Sequence, residues 1–274
     1  MDTKRTKGGA LQISHTVNEV SKRYLLLGDI HIDNPKCHEK LLKYDLDEAL
    51  DTNAGILLGG DLMCVMQGKN DRRHSKSDLK TENKKSNYLD SVIETTAEFF
   101  RPYSDNILMI CQGNHESAIL NRLETDLTAR LIEALNPKIH YGGYHGFVRF
   151  QFNVTETSRR GLTMYYHHGT PGGIISKGTP WVMRYAAMAP DADIVWSGDS
   201  HDRWDVMQPR LKLTQSGGKR VEDQLHIRTG TYKEEFDGEG GWATEKIVVP
   251  KSLGGVWLTF KNRWGEILPR ATMT

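Results

Sequence analysis

The chain has 274 residues, enough to bury a sizeable core within one α/β domain. Lys+Arg total 36 against 35 for Asp+Glu, so no global basic excess exists to coat nucleic acid or an acidic membrane, and any attraction for phosphate must be local. Three cysteines, Cys37, Cys64 and Cys111, are odd in number and far apart, which argues against a disulfide framework or a zinc ribbon and suits a reducing compartment.

Residues 1–20 are polar, lack an apolar signal region and read as an N-terminal extension. No later stretch is long enough to span a bilayer, so the expectation is a cytoplasmic protein with no membrane partner. Residues 21–274 read as a single domain without repeats or composition breaks.

The first buried strand is predicted at Tyr24 to Leu27, followed by Gly28-Asp29-Ile30-His31. Asn34 and Pro35 read as an N-cap and first helical position, with Leu41, Leu42, Leu46, Ala49 and Leu50 giving the helix its apolar face. A strand at Ile56 to Leu58 then leads into Gly60-Asp61, making residues 24–60 a βαβ unit. Next comes a basic insertion near 66–86. Between Lys69 and Lys85 it carries seven basic and three acidic residues, an excess of four positive charges. It is either a solvated surface loop or a clamp for a polyanion.

A helix is predicted over Asn87 to Phe100, and a strand over Ile107 to Cys111 runs into Gly113-Asn114-His115-Glu116. From Ser117, leucines at 120, 123, 127, 131 and 135 repeat at helical spacing until Pro137 ends the run. Strands rich in Tyr, Phe and Val follow. Leu162 to Tyr166 leads into His167-His168-Gly169, and Ile194 to Trp196 leads into Gly198-Asp199-Ser200-His201, with a helix near Val182 to Ala189 between them. Late strands are predicted at Leu225 to Arg228 and Val256 to Phe260.

Five polar clusters thus follow five buried strands. Ligands of α/β sheets bind beyond the carboxyl ends of the strands, where all five fall. The ordered set Asp-x-His, Gly-Asp, Gly-Asn-His-Glu, His-Gly and Gly-Asp-x-His, spanning Asp29 to His201, resembles the calcineurin-like metallophosphoesterase superfamily. The resemblance implies an α/β fold, a four-layer αββα sandwich of two mixed sheets flanked by helices.

It also implies a site with two divalent metal ions. Asp29, His31, Asp61 and His201 would hold the first, and a bridging Asp61 with Asn114, His168 and Asp199 the second. His115 would be the catalytic histidine beside them. Of the tandem pair, His168 directly precedes Gly and matches the family's ligand. Adjacent strand residues face opposite ways, so His167 is read as packed or hydrogen-bonded. The implied reaction is phosphoester hydrolysis by in-line attack of a water activated by the metal pair.

Two departures from the family pattern stand out. Asp199 occupies the place of an imidazole, which favours harder ions such as Mn²⁺ or Mg²⁺ over zinc; Mn²⁺ is preferred, with Mg, Fe and Zn possible. Three carboxylates leave a pair of divalent ions with about one positive charge. Cys64 stands where relatives often carry an Asp or His that supports the catalytic histidine, and a thiol is a poor orienter.

The chain has no phosphate-binding P-loop, and the glycines around Lys177 are in the wrong order for one. It also lacks a Gly-x-Ser-x-Gly nucleophile elbow. The basic insertion tilts the substrate toward a phosphodiester, with nucleic acid as a candidate partner. A protein or nucleotide phosphomonoesterase is the alternative, and a non-catalytic binding scaffold on the same fold a second one. Oligomeric state is not readable.

Overall fold

The computed structural model describes residues 2–15, 22–65, 79–153, 157–169, 179–213, 216–236, 249–263 and 266–274. In chain order the elements are β1 (Asp2–Arg5), β2 (Leu11–His15), β3 (Arg23–Leu27), α1 (Glu39–Asp51), β4 (Gly55–Leu58), α2 (Tyr88–Phe100), β5 (Ile107–Cys111), α3 (Asn114–Leu123), α4 (Leu127–Leu135), β6 (His140–Gly143), β7 (His145–Asn153), β8 (Arg159–His167), α5 (Thr179–Met188), β9 (Ile194–Ser197), β10 (Trp204–Leu213), β11 (Lys219–Arg228), β12 (Val256–Arg263) and β13 (Glu266–Met273).

The strands form two mixed sheets, ordered β1-β2-β7-β8-β9-β11-β10 and β13-β12-β3-β4-β5-β6. Strands β3, β4, β5 and β6 run parallel, as do β8, β9 and β11. Alternation along these strands explains the layering. Tyr24, Leu26, Leu57, Met109 and Cys111 pack against Val148, Phe150, Met164, Tyr166, Ile194 and Trp196 of the other sheet. Their sequence neighbours Leu25, Leu27, Ile56, Leu58, Ile107 and Ile110 face outward under α1, α2 and α4. On the far side Tyr165 and Val195 meet Trp181, Tyr185 and Ala189 of α5 and its end. The result is the four-layer αββα sandwich, with strands that are apolar on both faces because both faces are covered.

The predicted strands fall within observed ones, although β11 starts at Lys219, six residues before the predicted Leu225, and residues 24–60 form the βαβ unit. Three expectations are corrected. Helix α1 starts at Glu39, since Asn34 Oδ1 accepts the Lys36 N–H (2.9 Å) in a turn and His38 Nδ1 is the actual cap, accepting from Leu41 N–H (3.2 Å). The leucine-repeat helix is two helices. Glu124 in left-handed backbone (φ 51°) ends α3, and Asp126 caps α4 by accepting the Ala129 N–H at 2.9 Å. The first of the two begins at Asn114, not Ser117, and buries Ile119 while Leu123 is exposed.

Within residues 1–20, β1 and β2 pair as a hairpin and β2 joins β7, with Leu11 and Ile13 buried in the inter-sheet core. No helix among the described residues is long and apolar enough to cross a membrane.

On β11 the residues opposite the inter-sheet core face α5. Gln224 Nε2 donates to the carbonyls of Ala189 (3.0 Å) and Ala192 (2.7 Å), and its Oε1 accepts from His226 Nε2 at 3.0 Å. Burial, and then the charge of Arg210, pushes the His226 ring down to about 4. A histidine near 6.5 when unfolded and near 4 when folded binds fewer protons in the native state between those values. Its contribution is therefore complete above about pH 6.5 and is lost as pH falls toward 4, up to about 2–3 kcal/mol. Urea unfolding of wild type and His226→Phe at about pH 7.5 and about pH 4.5 should show the smaller acid-induced loss in the variant.

Candidate metal centre

All five polar clusters lie at carboxyl ends of strands, on one rim where the two sheets meet. Asp29 and His31 follow β3, Asp61 follows β4, Asn114 and His115 open α3 after β5, His168 follows β8, and Asp199 and His201 follow β9. Cross-sheet bonds close the rim: the Asp199 N–H donates to Asp29 Oδ2 (3.0 Å), and His168 Nδ1–H donates to the Gly59 carbonyl (3.0 Å).

The loops are held in costly backbone. Asp29, His31, Asp61, Asp199 and His201 all have φ between 50° and 67°, the left-handed region that residues with a Cβ adopt rarely. Main-chain bonds fix two of them, Asp29 N–H to Gly60 O (3.1 Å) and His31 N–H to Asp61 O (3.0 Å). At Gly113 a Cβ would lie 2.1 Å from Asp61 Oδ1, so only glycine allows the Asp61 carboxylate to sit against the start of α3. The Glu116 carboxylate, itself buried, clasps this corner by accepting N–H bonds from Gly113 (2.9 Å), Asp61 (3.1 Å) and Met63 (3.0 Å). Burial, and then the charge of Asp61, pushes Glu116 up to about 7.

Ligand atoms converge in three groups, each within 4.8 Å: Asp29, His31 and His201; Asp29, Asp61 and His168; and His31, Cys64 and His115. Asp61 Oδ2 lies 3.3 Å from His168 Nε2 and 3.8 Å from His115 Nε2, and Asp29 Oδ1 lies 3.5 Å from His201 Nε2. Asn114 and Asp199 complete the ring. The Asn114 amide oxygen is 3.1 Å from His168 Nε2, 3.0 Å from Asp61 Oδ2 and 3.1 Å from Asp199 Oδ1.

The electrostatics are those of a cluster short of positive charge. Burial pushes Asp29 well above the usual carboxylate range, and Asp61 and Asp199 add to this against the opposing pull of His168. Burial would raise Asp61 too, but the His168 and His115 rings outweigh it and hold its carboxyl down. Burial disfavours the charged ring of His168, yet the Asp61 charge and hydrogen bond prevail and lift it to about 10. Burial lowers His31 well below its ordinary value and His201 to about 4, keeping both rings neutral as metal ligands require.

Several buried atoms have no protein partner. Both ring nitrogens of His31 and Oδ1 of Asp29 make no hydrogen bond. The Asn114 amide lies within 3.1 Å of Asp61 Oδ2, His168 Nε2 and Asp199 Oδ1, at the centre of the acceptor cluster. A donor set of carboxylate oxygens, imidazole nitrogens and one amide oxygen fits divalent ions of the Mn²⁺, Fe²⁺ or Zn²⁺ type. The buried thiol of Cys64, pushed up to about 12 by burial and then by Asp33, is a poor competitor as ligand.

His115 finds its partner in the main chain. Its Nδ1–H donates to the carbonyl of Cys64 (2.5 Å) and its backbone N–H donates to Asp61 Oδ1 (2.9 Å), leaving Nε2 toward the cluster. His167 points elsewhere: its Nδ1 accepts the Gly169 N–H (2.9 Å), and its ring lies among Tyr144, Tyr185 and His145.

Of the basic insertion, Lys69, Arg72, Arg73 and Lys76 lie outside the described residues, as does the glycine loop around Lys177. Lys80 is ion-paired with Glu39, and Lys84 and Lys85 are exposed.

Sequence reasoning missed two neighbours of the site. Arg228 is 2% exposed, donates to Ser197 Oγ (3.2 Å) and Ser200 Oγ (3.0 Å), and stacks over Trp204. Burial lowers its guanidinium from the ordinary value, against the opposing pull of Tyr185, Asp202, Asp199 and Asp29. Its only sequence signal was an arginine ending an apolar strand. Asp33 is the other, and its partners are backbone N–H groups that no side-chain pattern announces.

No family model and no curated protein matches the chain. Among solved structures it is similar to Vacuolar Protein Sorting 29 of Cryptosporidium parvum, at 15% identity over 93% of this chain and 98% of that one, TM-score 0.35. It is also similar to Vps29 of Entamoeba histolytica complexed with zinc, at 11% identity over 92% and 98%, TM-score 0.40. A metallophosphoesterase of Sphaerobacter thermophilus overlaps at 13% identity over 87% and 82%, TM-score 0.39. Likenesses this distant decide nothing about the chemistry of this chain; its own residues do. The two-sheet αββα sandwich and the ring of carboxylate, imidazole and amide donors at its rim agree with the fold and ligand positions that the motif resemblance implied.

Proposed function

We propose that the chain is a metal-dependent phosphoesterase that holds two divalent ions, Mn²⁺ by preference, and hydrolyses phosphodiesters. The observation that carries this is the convergence of ligand atoms around buried atoms that have no hydrogen-bond partner, both His31 nitrogens and Asp29 Oδ1. Asp29, His31 and His201 would hold one ion, and His168, Asn114 and Asp199 the other, with Asp61 shared. When bound, such a pair supplies a hydroxide nucleophile at neutral pH and neutralises charge on the phosphoryl oxygens.

The residues do the rest. Asp61 tethers the start of α3 through the His115 N–H, so the catalytic histidine and the shared ligand are set by one contact. The Cys64 carbonyl can only accept, which fixes the His115 proton on Nδ1 and makes Nε2 the atom that faces the leaving group. A protonated Nε2, which lies 3.8 Å from Asp61 Oδ2, gives its proton to the departing oxygen. Arg228 adds a fixed positive charge beside Asp199 that the ligand set alone lacks.

The preference for diesters rests on the excess of basic residues between Lys69 and Lys85, which matches a polyanionic backbone. It is tested with metal-stripped protein given Mn²⁺ and offered bis(p-nitrophenyl) phosphate, p-nitrophenyl phosphate and a single-stranded oligonucleotide. Faster diester cleavage, with oligonucleotide affinity that falls steeply with salt, is expected. Faster monoester cleavage makes the chain a phosphomonoesterase, and absence of both metal binding and turnover leaves a binding scaffold.

A further inference from the structure

We propose that Asp33 is a positioning residue for His115 and acts on it through the peptide bond between Cys64 and Val65. The Asp33 carboxylate is 3% exposed and accepts two successive main-chain donors, the Cys64 N–H on Oδ1 (2.5 Å) and the Val65 N–H on Oδ2 (3.0 Å). Tyr88 O–H donates to the same Oδ2 at 3.3 Å and fixes the rotamer.

The Val65 N–H and the Cys64 C=O belong to one peptide unit, and that carbonyl accepts the His115 Nδ1–H. The chain of contacts is therefore carboxylate, peptide N–H, peptide C=O, imidazole N–H. An ionised acceptor on the N–H strengthens that bond and polarises the amide, so the carbonyl becomes a better acceptor for the imidazole. The negative charge usually placed beside such a histidine is here one peptide removed.

Two further observations fit. Val65 has φ 39°, a conformation a β-branched residue adopts only when its surroundings enforce it, and the Asp33 clasp is what holds it there. The hydrogen bond to the ring comes from the Cys64 carbonyl, whereas the Cys64 Sγ accepts from Asn34 Nδ2 at 3.6 Å. Position 64 thus serves His115 with its backbone, which accounts for a thiol standing at the place of a carboxylate.

The inference rests on the role of His115 proposed above, and its test separates the two. In metal-free full-length protein labelled with ¹⁵N-histidine, the His115 Nδ1–H resonance, identified by its loss in His115→Gln, should be downfield and slow to exchange. Asp33→Asn should move it upfield, and Tyr88→Phe should do so by less, which keeps the test open if Asp33→Asn folds poorly. An unchanged resonance in the folded variants overturns the relay, whatever the enzyme's activity.

With Mn²⁺, Asp33→Asn should lower kcat about 10–100-fold on a diester with an alkyl leaving group and much less on bis(p-nitrophenyl) phosphate, at unchanged KM. Asp33→Glu should recover part of the loss. Equal losses on both substrates, or loss of bound metal, would mean that Asp33 only supports the fold and would overturn the proposal. Inactivity of the wild type on every phosphoester counts against the function, and the resonance still decides the relay.

Discussion

Asp61→Asn should reduce Mn²⁺-dependent hydrolysis of bis(p-nitrophenyl) phosphate by at least about 10³-fold, because one residue has three roles, two of them on its carboxylate. Its Oδ2 sits between His168 Nε2 and the Asn114 amide oxygen, its Oδ1 accepts the His115 N–H, and its backbone carbonyl anchors His31. An amide at this position has a single acceptor oxygen, so it cannot serve two cations and the start of α3 together. The backbone part of the arrangement survives, so the variant should keep its near-ultraviolet circular dichroism while losing metal. Steady-state kinetics with metal content measured on the same samples checks both halves of the expectation.

His115→Ala should behave differently. Its ring lies beside the ligand cluster, with Nε2 3.8 Å from Asp61 Oδ2, held by the Nδ1–H bond to the Cys64 carbonyl and packed edge-on against His31. The variant should keep its metal and lose about 10²–10⁴ in kcat, the usual span for a positioned general acid. The loss should be greatest for leaving groups that need a proton and smallest for p-nitrophenolate. A plot of kcat against leaving-group basicity should therefore be steeper for the variant than for wild type. Equal losses across the series would assign His115 to substrate binding instead.

Much of this architecture is legible in the sequence because strand and ligand positions are written in adjacent residues. Runs such as Leu25-Leu26-Leu27 and Ile56-Leu57-Leu58 are apolar throughout because each face meets another layer, and the glycine after each marks the turn into the rim. The boundaries that went astray were decided by side-chain capping. Asn34 and Pro35 have the composition of a helix start, yet Asn34 closes a turn on Lys36 and the helix waits for His38. The leucine spacing runs across the break at Glu124, since α3 and α4 each contribute to that side of the molecule and periodicity alone cannot see a left-handed residue.

The polar neighbours of the site were harder for a related reason. Asp33 binds main-chain N–H groups, and Arg228 reaches the site from β11, whose residues pair with β9 only in three dimensions. The edge strand β10 carries Leu211 and Leu213 exposed among polar neighbours, so it lacks the buried signature that marked the central strands.

The rim at the carboxyl ends of the strands is expected to bind a pair of metal ions. The most direct measurement is titration of the metal-stripped chain with Mn²⁺, counting bound ions and recording the electron paramagnetic resonance spectrum at each step. Two ions per chain are expected and, at saturation, the spectrum of an exchange-coupled pair, lost in Asp61→Asn. One magnetically isolated ion, or none, in folded wild-type protein would contradict that expectation.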